Sequence, residues 1–396
     1  MEYRRFGRTE LQMPVFSCGG MRYQHTWGDQ PLDQIPAESN QNVRDTMLRA
    51  LELGINHFET ARGYGPSERQ MGPVLRELAR DRIIVQTKVG AGPNSDEWTA
   101  NVKDSIKRMQ VGYLDLITFH GINDYESLHH AARDGGCLQA ARRLQKQGLV
   151  RHVGFSTHGD PSAILDAVKH DRDGGFDYIN IHWYYIYQRN WAAIEEATRR
   201  DMGVFIISPN DKGGRLFDPP DRLVELCAPL HPIVFNALFC LSHPEVHTLS
   251  LGAAKPSDFD IQMETFEHLD NAASVIKPIM KRLDQAVTDV VGADFAKSWR
   301  EGIPEWRSVP CYANIYMVTW LYLLAKAFDM GEYCRGRYNL LGNGGSWFGG
   351  NNASAAANVD VAKVLGDHPH RERIAEIYVE AQELLGGEAV KRLSES

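Results

Sequence analysis

An acid, a tyrosine, a lysine and a histidine occur where short apolar segments of the sequence end. Glu59 ends the apolar segment 55–58, and Tyr64 follows on a turn flanked by glycines. Lys88 and His120 end the next two apolar segments. A phenol has a pKa of about 10, so it exchanges protons usefully near neutral pH only beside a group that lowers this pKa, such as a lysine. The four residues therefore predict a proton-transfer site, provided that the fold brings them together.

These residues need a fold that gathers strand ends in one place. The first two-thirds of the chain alternates strand-like and helix-like segments, and the strands are short and rich in Ile and Val. That pattern is typical of a parallel sheet covered by helices. Eight strand–helix units in about 260 residues predict an α/β fold, the (β/α)8 TIM barrel, whose functional groups lie at the carboxyl ends of the strands. A doubly wound open sheet is the alternative, but no GxGxxG sequence follows the first strand.

The alternation of strands and helices stops near residue 265. Three helical segments and a loop rich in Gly, Asn and Ala follow; the helices are 272–291, 315–328 and 361–385, and the loop is 340–359. Nothing in this region repeats the strand–helix unit. We therefore predict two parts, a (β/α)8 barrel over residues 1–265 and a separate, mostly helical C-terminal module over residues 266–396.

The composition limits the class of protein and its partners. The chain has 396 residues, 43% of them hydrophobic and 24% charged, and its net charge of −8 gives no reason to expect a nucleic acid or membrane partner. No apolar run approaches the roughly 18 residues of a transmembrane helix, and the N-terminus lacks the apolar core of a signal peptide. Six scattered cysteines predict the reduced thiols of a cytoplasmic protein, and the histidine spacing predicts no metal site.

Several motifs of the first 265 residues occur in a specific order. Besides the segments around Tyr64, Lys88 and His120, they are residues 4–9 (RRFGRT), Gly154-Phe155-Ser156, Ser208-Pro209 and Gly213-Gly214. Together they resemble the aldo-keto reductases over roughly residues 1–265. Residues 119–123 and 156–160 resemble the branch of this family that carries a C-terminal ferredoxin-like iron–sulfur module. The resemblance implies a barrel that binds a nicotinamide cofactor and interconverts carbonyls and alcohols.

The same resemblance implies a catalytic set of Asp, Tyr, Lys and His. Tyr64 would exchange a proton with the substrate oxygen, Lys88 would lower the pKa of the phenol, and His120 would orient the oxygen. Glu59 stands where the family has the aspartate that pairs with the lysine. Its extra methylene alters the geometry of the ion pair. Either a modified catalytic site or a structural ion pair with catalysis lost is therefore expected.

The resemblance also implies which residues hold NADP or NAD. They are Gly20, Met21, Ser156, Thr157, Asn180, Ser208, Asn210, Lys212, Gly213, Gly252, Lys255, Asp258 and Gln262. Asn180 stands where the family usually has a Gln for the nicotinamide carboxamide, and it can make the same paired hydrogen bonds. Residues 208–214 would hold the pyrophosphate with backbone N–H groups and Lys212. Asp258 stands where NADP-dependent members have an arginine, but Lys255 could bind a phosphate, so the cofactor preference stays open.

The C-terminal module departs from the family branch in its cysteines. A ferredoxin-like module needs four thiolates for each cluster, and only Cys311 and Cys334 occur after residue 265. We therefore expect no iron–sulfur cluster, and a module kept as a fold without its metal. It would cap the barrel or associate with a second copy of the chain to form a homo-oligomer.

The leading functional hypothesis is an NAD(P)-dependent oxidoreductase with Tyr64 as general acid and base. A sugar or keto-sugar substrate is expected because Trp, Tyr, His and Asn side chains are frequent at the predicted barrel mouth. Two alternatives stay open. One is a non-catalytic nicotinamide-binding sensor or subunit. The other is a nicotinamide enzyme that oxidises a sugar transiently, with no net redox change.

Overall fold

The computed structural model describes residues 1–344 and 348–391. Residues 345–347 of the predicted Gly/Asn/Ala-rich loop and residues 392–396 of the predicted C-terminal module lie outside this range. The strands are β1 Tyr3–Arg5, β2 Gln12–Pro14, β3 Phe16–Gly19, β4 His57–Glu59, β5 Ile84–Val89, β6 Leu114–Phe119, β7 Val150–Ser156, β8 Tyr178–Ile181, β9 Gly203–Ile206 and β10 Thr248–Leu251. The α-helices are α1 Ala37–Glu52, α2 Ser67–Glu77, α3 Ser95–Arg108, α4 Tyr125–Ala132, α5 Cys137–Lys146, α6 Pro161–Lys169, α7 Trp191–Arg199, α8 Asp221–Cys227, α9 Pro232–Leu241, α10 Asp260–Met263, α11 Ala272–Val291, α12 Ala293–Ser298, α13 Ile315–Phe328, α14 Gly331–Tyr338, α15 Val361–Leu365 and α16 Arg371–Leu385.

Strands β3 to β10 form a closed parallel barrel. Each strand pairs with the next along the chain, and β10 pairs with β3 to close the ring. Strands β5 and β6 are buried along their whole length, as expected for parallel strands that helices cover. The predicted (β/α)8 fold is therefore confirmed, and the carboxyl ends of the strands share one rim.

The hairpin of β1 and β2 lies at the amino-terminal end of the barrel. Phe6, which follows β1, is fully buried and its ring centre lies 5.6 Å from that of Tyr178, the first residue of β8. A Cβ at Gly203, the first residue of β9, would come within 2.6 Å of the Phe6 ring. Glycine at this position therefore allows the phenylalanine to fill the amino-terminal end of the barrel.

Polar side chains fill part of the barrel interior. Ser17 Oγ lies 2.6 Å from His57 Nδ1 and 2.7 Å from Thr248 Oγ1. Strands β5, β6 and β8 contribute a second series of hydrogen bonds. Gln86 donates to Thr118, and the Thr118 and Tyr178 hydroxyls lie 2.8 Å apart. These three residues are fully buried. Burial lowers the pKa of His57 to about 3, so its imidazole is neutral at physiological pH.

The described chain divides into two compact units. The first comprises Met1–Gly213 and Asn236–Ala272, and it contains the whole barrel. The second comprises Gly214–Phe235 together with the described residues from 273 onward, and it is helical. Its centre is the apolar helix α13, which contacts α14 and α16. The Asn314 side chain caps α13 by accepting a hydrogen bond from the Met317 N–H.

Over residues 1–344 and 348–391, no single helix is both long and apolar enough to cross a membrane. The bent pair α8 and α9 meets that requirement only when the two helices are taken together, by length and composition.

Candidate active site

A buried ion pair joins the ends of β4 and β5. Lys88 Nζ donates to the Glu59 carboxylate and, at 3.0 Å, to the Thr60 carbonyl oxygen. The side chains of Lys88 and Glu59 are only 2% and 5% exposed. Charges buried to this degree need a partner with good geometry, because each has lost most of its hydration. The adjacent strands β4 and β5 supply that partner. Their register pairs Glu59 with Gln86, and Lys88 lies two residues further along β5.

Tyr64 lies on the turn between β4 and α2, above this ion pair. Lys88 Nζ is 4.8 Å from the centre of the Tyr64 ring, and the rings of His120 and Trp27 meet it edge-on at 5.6 and 6.3 Å between centres. The turn depends on Gly65, which has a φ of +52°. A Cβ there would come within 1.9 Å of the carbonyl oxygen of Thr26. Three strand ends and one turn thus bring together the four side chains predicted to exchange protons.

The electrostatics of this group fix its protonation states. Burial raises the pKa of Tyr64, and Glu59 raises it further, while the charge of Lys88 and a hydrogen bond from it act in the opposite direction. Burial alone would lower the pKa of Lys88, but Glu59 and Tyr64 outweigh it and raise this pKa. Burial and the charges of Lys88 and Lys212 lower the pKa of His120 to about 3. At neutral pH the site therefore holds a protonated phenol, an ammonium and a neutral imidazole.

Ser156, Thr157 and Asn180 lie at the adjacent ends of β7 and β8. Ser156 pairs with Asn180 across the two strands, and the Thr157 N–H donates to the Asn180 carbonyl oxygen at 3.0 Å. Ser156 Oγ accepts from the Gly121 N–H at 3.1 Å. The Asn180 side chain is fully buried, and within the described residues neither its amide oxygen nor its amide nitrogen has a hydrogen-bond partner. A buried amide in this state can accept one ligand that offers both a donor and an acceptor.

The loop after β9 carries four more of the predicted residues. Ser208 has a φ of +53°, and its carbonyl oxygen accepts from the Lys212 N–H at 3.0 Å. Asn210 is buried and donates to the Gln262 side chain at 3.1 Å, which links this loop to α10. A Cβ at Gly213 would come within 1.8 Å of the Pro209 carbonyl oxygen, so the loop closes on itself at this glycine.

The loop after β10 is held by its own side chains. Asp258 accepts from the Ala254 N–H at 2.8 Å, and Gln262 donates to the Asp258 carbonyl oxygen at 3.3 Å. The carboxylate of Asp258 is therefore already engaged within the loop. Lys255 is exposed, whereas a Cβ at Gly252 would come within 2.8 Å of the Arg22 side chain.

Gly20 and Met21 follow β3 at the same rim. The Gly20 N–H donates to the Glu59 carbonyl oxygen at 2.7 Å, and the Gly20 carbonyl oxygen accepts from Ser67 Oγ at 2.9 Å. These bonds join the end of β3 to β4 and to the start of α2. Met21 is half-buried.

Two sets of contacts at this rim were not predicted from the sequence. His158 and His182 share a hydrogen bond, and Lys212 Nζ lies 3.3 Å from His158 Nδ1 and 3.5 Å from His182 Nε2. Ser250 donates to Glu59 Oε1 at 2.6 Å. Both are long-range contacts between residues of different strands or loops. The available signal was position alone, because Ser250 lies at the end of the last barrel strand and His182 directly follows β8.

The residues that the structure describes contain no group of three or more His, Cys, Asp or Glu side chains arranged to hold a metal ion. In the second unit, Cys334 is buried and Cys311 is exposed.

Comparison with known proteins gives a consistent family. The Aldo/keto reductase family profile matches residues 17–201. L-glyceraldehyde 3-phosphate reductase of Escherichia coli (strain K12) is 27% identical over 174 residues, which is 40% of this chain and 46% of that protein. L-galactose dehydrogenase of Arabidopsis thaliana is 27% identical over 165 residues, 39% of this chain and 48% of that protein. The chain thus spans about half the length of the curated relatives that it matches.

Solved structures support the same fold over a longer range. The holo form of an aldo-keto reductase from Bacillus halodurans superimposes with a TM-score of 0.59 at 22% identity, covering 71% of this chain and 96% of that one. At this identity the match concerns the fold alone. The family profile and the curated relatives show that residues 17–201 are similar to the aldo/keto reductases, and the solved structure shows the same barrel fold.

Proposed function

We propose that this protein is an NAD(P)-dependent oxidoreductase that interconverts a carbonyl and an alcohol. The observation that carries the proposal is the group formed by Tyr64, Lys88 and His120 at three neighbouring positions of the barrel rim. A protonated phenol lies beside a buried ammonium, and a neutral imidazole faces the same ring. The similarity of residues 17–201 to the Aldo/keto reductase family supports the same reaction class.

The protein's part in this reaction is proton transfer to and from the substrate oxygen. In the reductive direction, Tyr64 donates its proton to the carbonyl oxygen, and the charge of Lys88 stabilises the phenolate that remains. In the oxidative direction, the phenolate takes the proton of the alcohol. His120 is neutral, so it can offer an N–H to the substrate oxygen without adding a charge. Glu59 holds Lys88 in place for both directions.

The residues at the rim fit a nicotinamide cofactor. When bound, this group supplies or accepts the hydride. The amide of Asn180, which has no partner among the described residues, matches the donor and acceptor of a carboxamide, and Ser156 lies next to it across the strands. Lys212 and the backbone of its loop would bind phosphate groups. Lys255 is exposed and could bind a further phosphate, so these residues fit either NADP or NAD.

A polar, sugar-like substrate is the best match to the surroundings of Tyr64. Trp27 meets the tyrosine edge-on, and an aromatic face of this kind can stack on a sugar ring. His158 and His182 add hydrogen-bonding groups at the same rim. The two curated relatives are named for L-glyceraldehyde 3-phosphate and L-galactose, which supports a hydroxylated aldehyde or alcohol as the substrate class.

A titration followed by a turnover assay tests the proposal. Purified protein is mixed with NADH or NADPH while the fluorescence of its tryptophans and of the cofactor is followed. We expect at least one cofactor to bind and to be consumed with a member of a panel of aldoses, ketoses and aldehydes. Failure of both cofactors to bind would rule the proposal out. Binding without turnover would favour the sensor or subunit, and a tightly retained cofactor that returns to its starting state would favour net non-redox chemistry.

The variant Tyr64→Phe tests the proton-transfer role directly. We expect turnover to fall by about 10²- to 10⁴-fold, because the phenol proton is lost, while cofactor affinity stays unchanged. The matched control is Tyr125→Phe, which removes an exposed phenol that donates to Asp166. Turnover in Tyr64→Phe equal to that of the control would remove Tyr64 from the mechanism.

A further inference from the structure

The carboxylate of Glu59 is held from both sides by residues of strands that are not neighbours of each other. One oxygen accepts from Lys88 on β5, and the other accepts from Ser250 Oγ on β10 at 2.6 Å. The strand order around the barrel is β10, β3, β4, β5. The hydrogen bond between Glu59 on β4 and Ser250 on β10 therefore passes across β3. All three side chains are buried.

The strand that Glu59 crosses carries a glycine at the crossing point. Gly19 on β3 pairs directly with Glu59 in the barrel register. A Cβ at Gly19 would come within 2.7 Å of Ser250 Oγ and 2.8 Å of Glu59 Oε1. Both contacts are closer than real Cβ atoms tolerate. The absence of a side chain at position 19 therefore provides the space in which the longer acid reaches Ser250.

We propose that Ser250 is a positioning residue that fixes the Glu59 carboxylate, and through it the Lys88 ammonium, beside Tyr64. The hydroxyl keeps one carboxylate oxygen engaged on β10, so that only the other faces Lys88. Glu59, Gly19 and Ser250 form one interdependent set, which accounts for an acid with an extra methylene at this place. The kinetic meaning of this inference rests on the proposed function, but the contact itself does not.

The inference predicts how the acidity of Tyr64 responds to Ser250. A hydrogen bond to a carboxylate weakens the negative potential that it exerts on its surroundings. Without the hydroxyl, Glu59 would act more strongly on Tyr64, whose pKa would rise. Among the described residues, the other titratable groups that interact with Tyr64 or Glu59 are Lys88, His120, Cys18, Tyr23 and Tyr178.

The test places a fluorinated tyrosine, whose phenol is more acidic than that of tyrosine, at position 64 and follows its titration by fluorine NMR. In Ser250→Ala we expect the midpoint to rise by about half to one pH unit. In Ser250→Thr, which keeps the hydroxyl, it should stay at the starting value. Ser17→Ala is the matched control, because it removes a buried hydroxyl that contacts His57 instead of Glu59.

An unchanged or lowered midpoint in Ser250→Ala would overturn the inference, as would a threonine variant that behaves like the alanine variant. The measurement needs no turnover. If the protein proves inactive but the midpoint rises, the proposed function fails while Ser250 keeps its role. If turnover is found and the midpoint does not move, the proposed function stands and the role given to Ser250 fails.

A double-mutant cycle tests the space at Gly19 independently. Gly19→Ala should lower the thermal unfolding midpoint of the protein with Glu59, and it should cost less in the Glu59→Asp background, where the shorter acid withdraws from β3 and the new Cβ still meets Ser250 Oγ. If Gly19→Ala does not fold in the protein with Glu59, recovery of folding in the Gly19→Ala/Glu59→Asp variant would support the inference in the same way. An equal loss in both backgrounds would show that Glu59 does not need the glycine.

Discussion

Lys88 carries a charge in a part of the barrel that water hardly reaches. Its ammonium is stable there because Glu59 compensates it, and Glu59 is stable because Lys88 and Ser250 both donate to it. Each charge of the pair thus needs the other in order to be buried, and the proposed chemistry needs both. These two requirements can be separated by substitution, because a pair of apolar side chains satisfies the first and not the second.

Replacing Lys88 alone should therefore damage both properties. We expect Lys88→Met to lower the free energy of unfolding by about 3–5 kcal/mol, because it leaves the Glu59 carboxylate buried without its cation. Turnover should fall by about 10²- to 10⁴-fold. The double variant Lys88→Met/Glu59→Leu should regain most of the stability in urea unfolding and none of the turnover. Recovery of turnover in the double variant would contradict the role given to the ion pair.

His57 is a second buried titratable residue, and its effect depends on pH. Burial lowers its pKa from the ordinary 6.5 to about 3, so the folded protein holds the imidazole neutral. Because the unfolded chain binds the proton first, stability is complete above pH 6.5 and is lost as the pH falls toward 3. This one group should remove about 1.4 kcal/mol for each pH unit below 6.5.

The variant His57→Gln checks this pH dependence. Urea unfolding at pH 7 and pH 5 should show a smaller loss of stability on acidification in His57→Gln than in the unmodified protein. His129→Gln is the control, since this histidine is exposed on α4. Parallel losses in all three proteins would mean that His57 is not held neutral by the fold.

Among the elements, the turn between β4 and α2 has a strict steric requirement near the site. It presents Tyr64, and its Gly65 faces the backbone of Thr26, next to Trp27. The turn therefore links two loops through a glycine that combines a positive φ with a close approach. Neither loop can move at this point without displacing the aromatic contact between Trp27 and Tyr64.

Gly65→Ala should disturb stability and chemistry together. We expect a loss of more than about 1 kcal/mol, since alanine disfavours this φ and its Cβ would overlap the Thr26 carbonyl. Turnover should fall more than cofactor affinity. Gly63→Ala is the control, because its Cβ would lie 3.9 Å from the nearest atom, on the His120 ring, and stability should stay within about 0.5 kcal/mol. Equal effects in the two variants would remove the special role of Gly65.

The strand ends could be predicted from the sequence because Glu59, Lys88 and His120 each lie at the end of an apolar run, as Lys88 does on β5. Parallel strands of one barrel bring such ends to a common rim, so no distance information was needed. The contact of Ser250 with Glu59 could not be predicted, because it spans an intervening strand and depends on the missing side chain at Gly19. The raised pKa of Tyr64 was not foreseen either, because the expected effect of Lys88 is outweighed by burial.

At the scale of the whole molecule, every residue proposed to bind cofactor or substrate belongs to the first compact unit. The loop after β9 is divided, since Gly213 ends a segment of the first unit and Gly214 begins a segment of the second. The sequence pattern places a boundary near residue 265, and it gave no sign that Gly214–Phe235 groups with the later helices. Such a grouping depends on tertiary contacts that periodicity does not encode.

A core substitution in the second unit tests how far the units behave independently. Leu321 on α13 is fully buried, and Leu321→Ala should lower the stability of this unit by about 2–5 kcal/mol, seen as an earlier transition in calorimetry. Cofactor affinity should be unchanged, because the proposed cofactor residues lie in the first unit. Val379→Ala, at an exposed position of α16, is the control. Loss of cofactor affinity in Leu321→Ala alone would show that the barrel needs the intact second unit.

The buried amide of Asn180 affects which nicotinamide analogues the barrel would bind poorly. Across the described residues its oxygen and nitrogen have no protein partner, so any ring that covers them must satisfy both or leave one unpaired. Pairing failures of this kind discriminate between ligands far more strongly than a missing methyl group does. Pyridine nucleotides whose carboxamide is replaced by an acetyl group lack the donor, and the barrel should reject them even though their shape is almost the same.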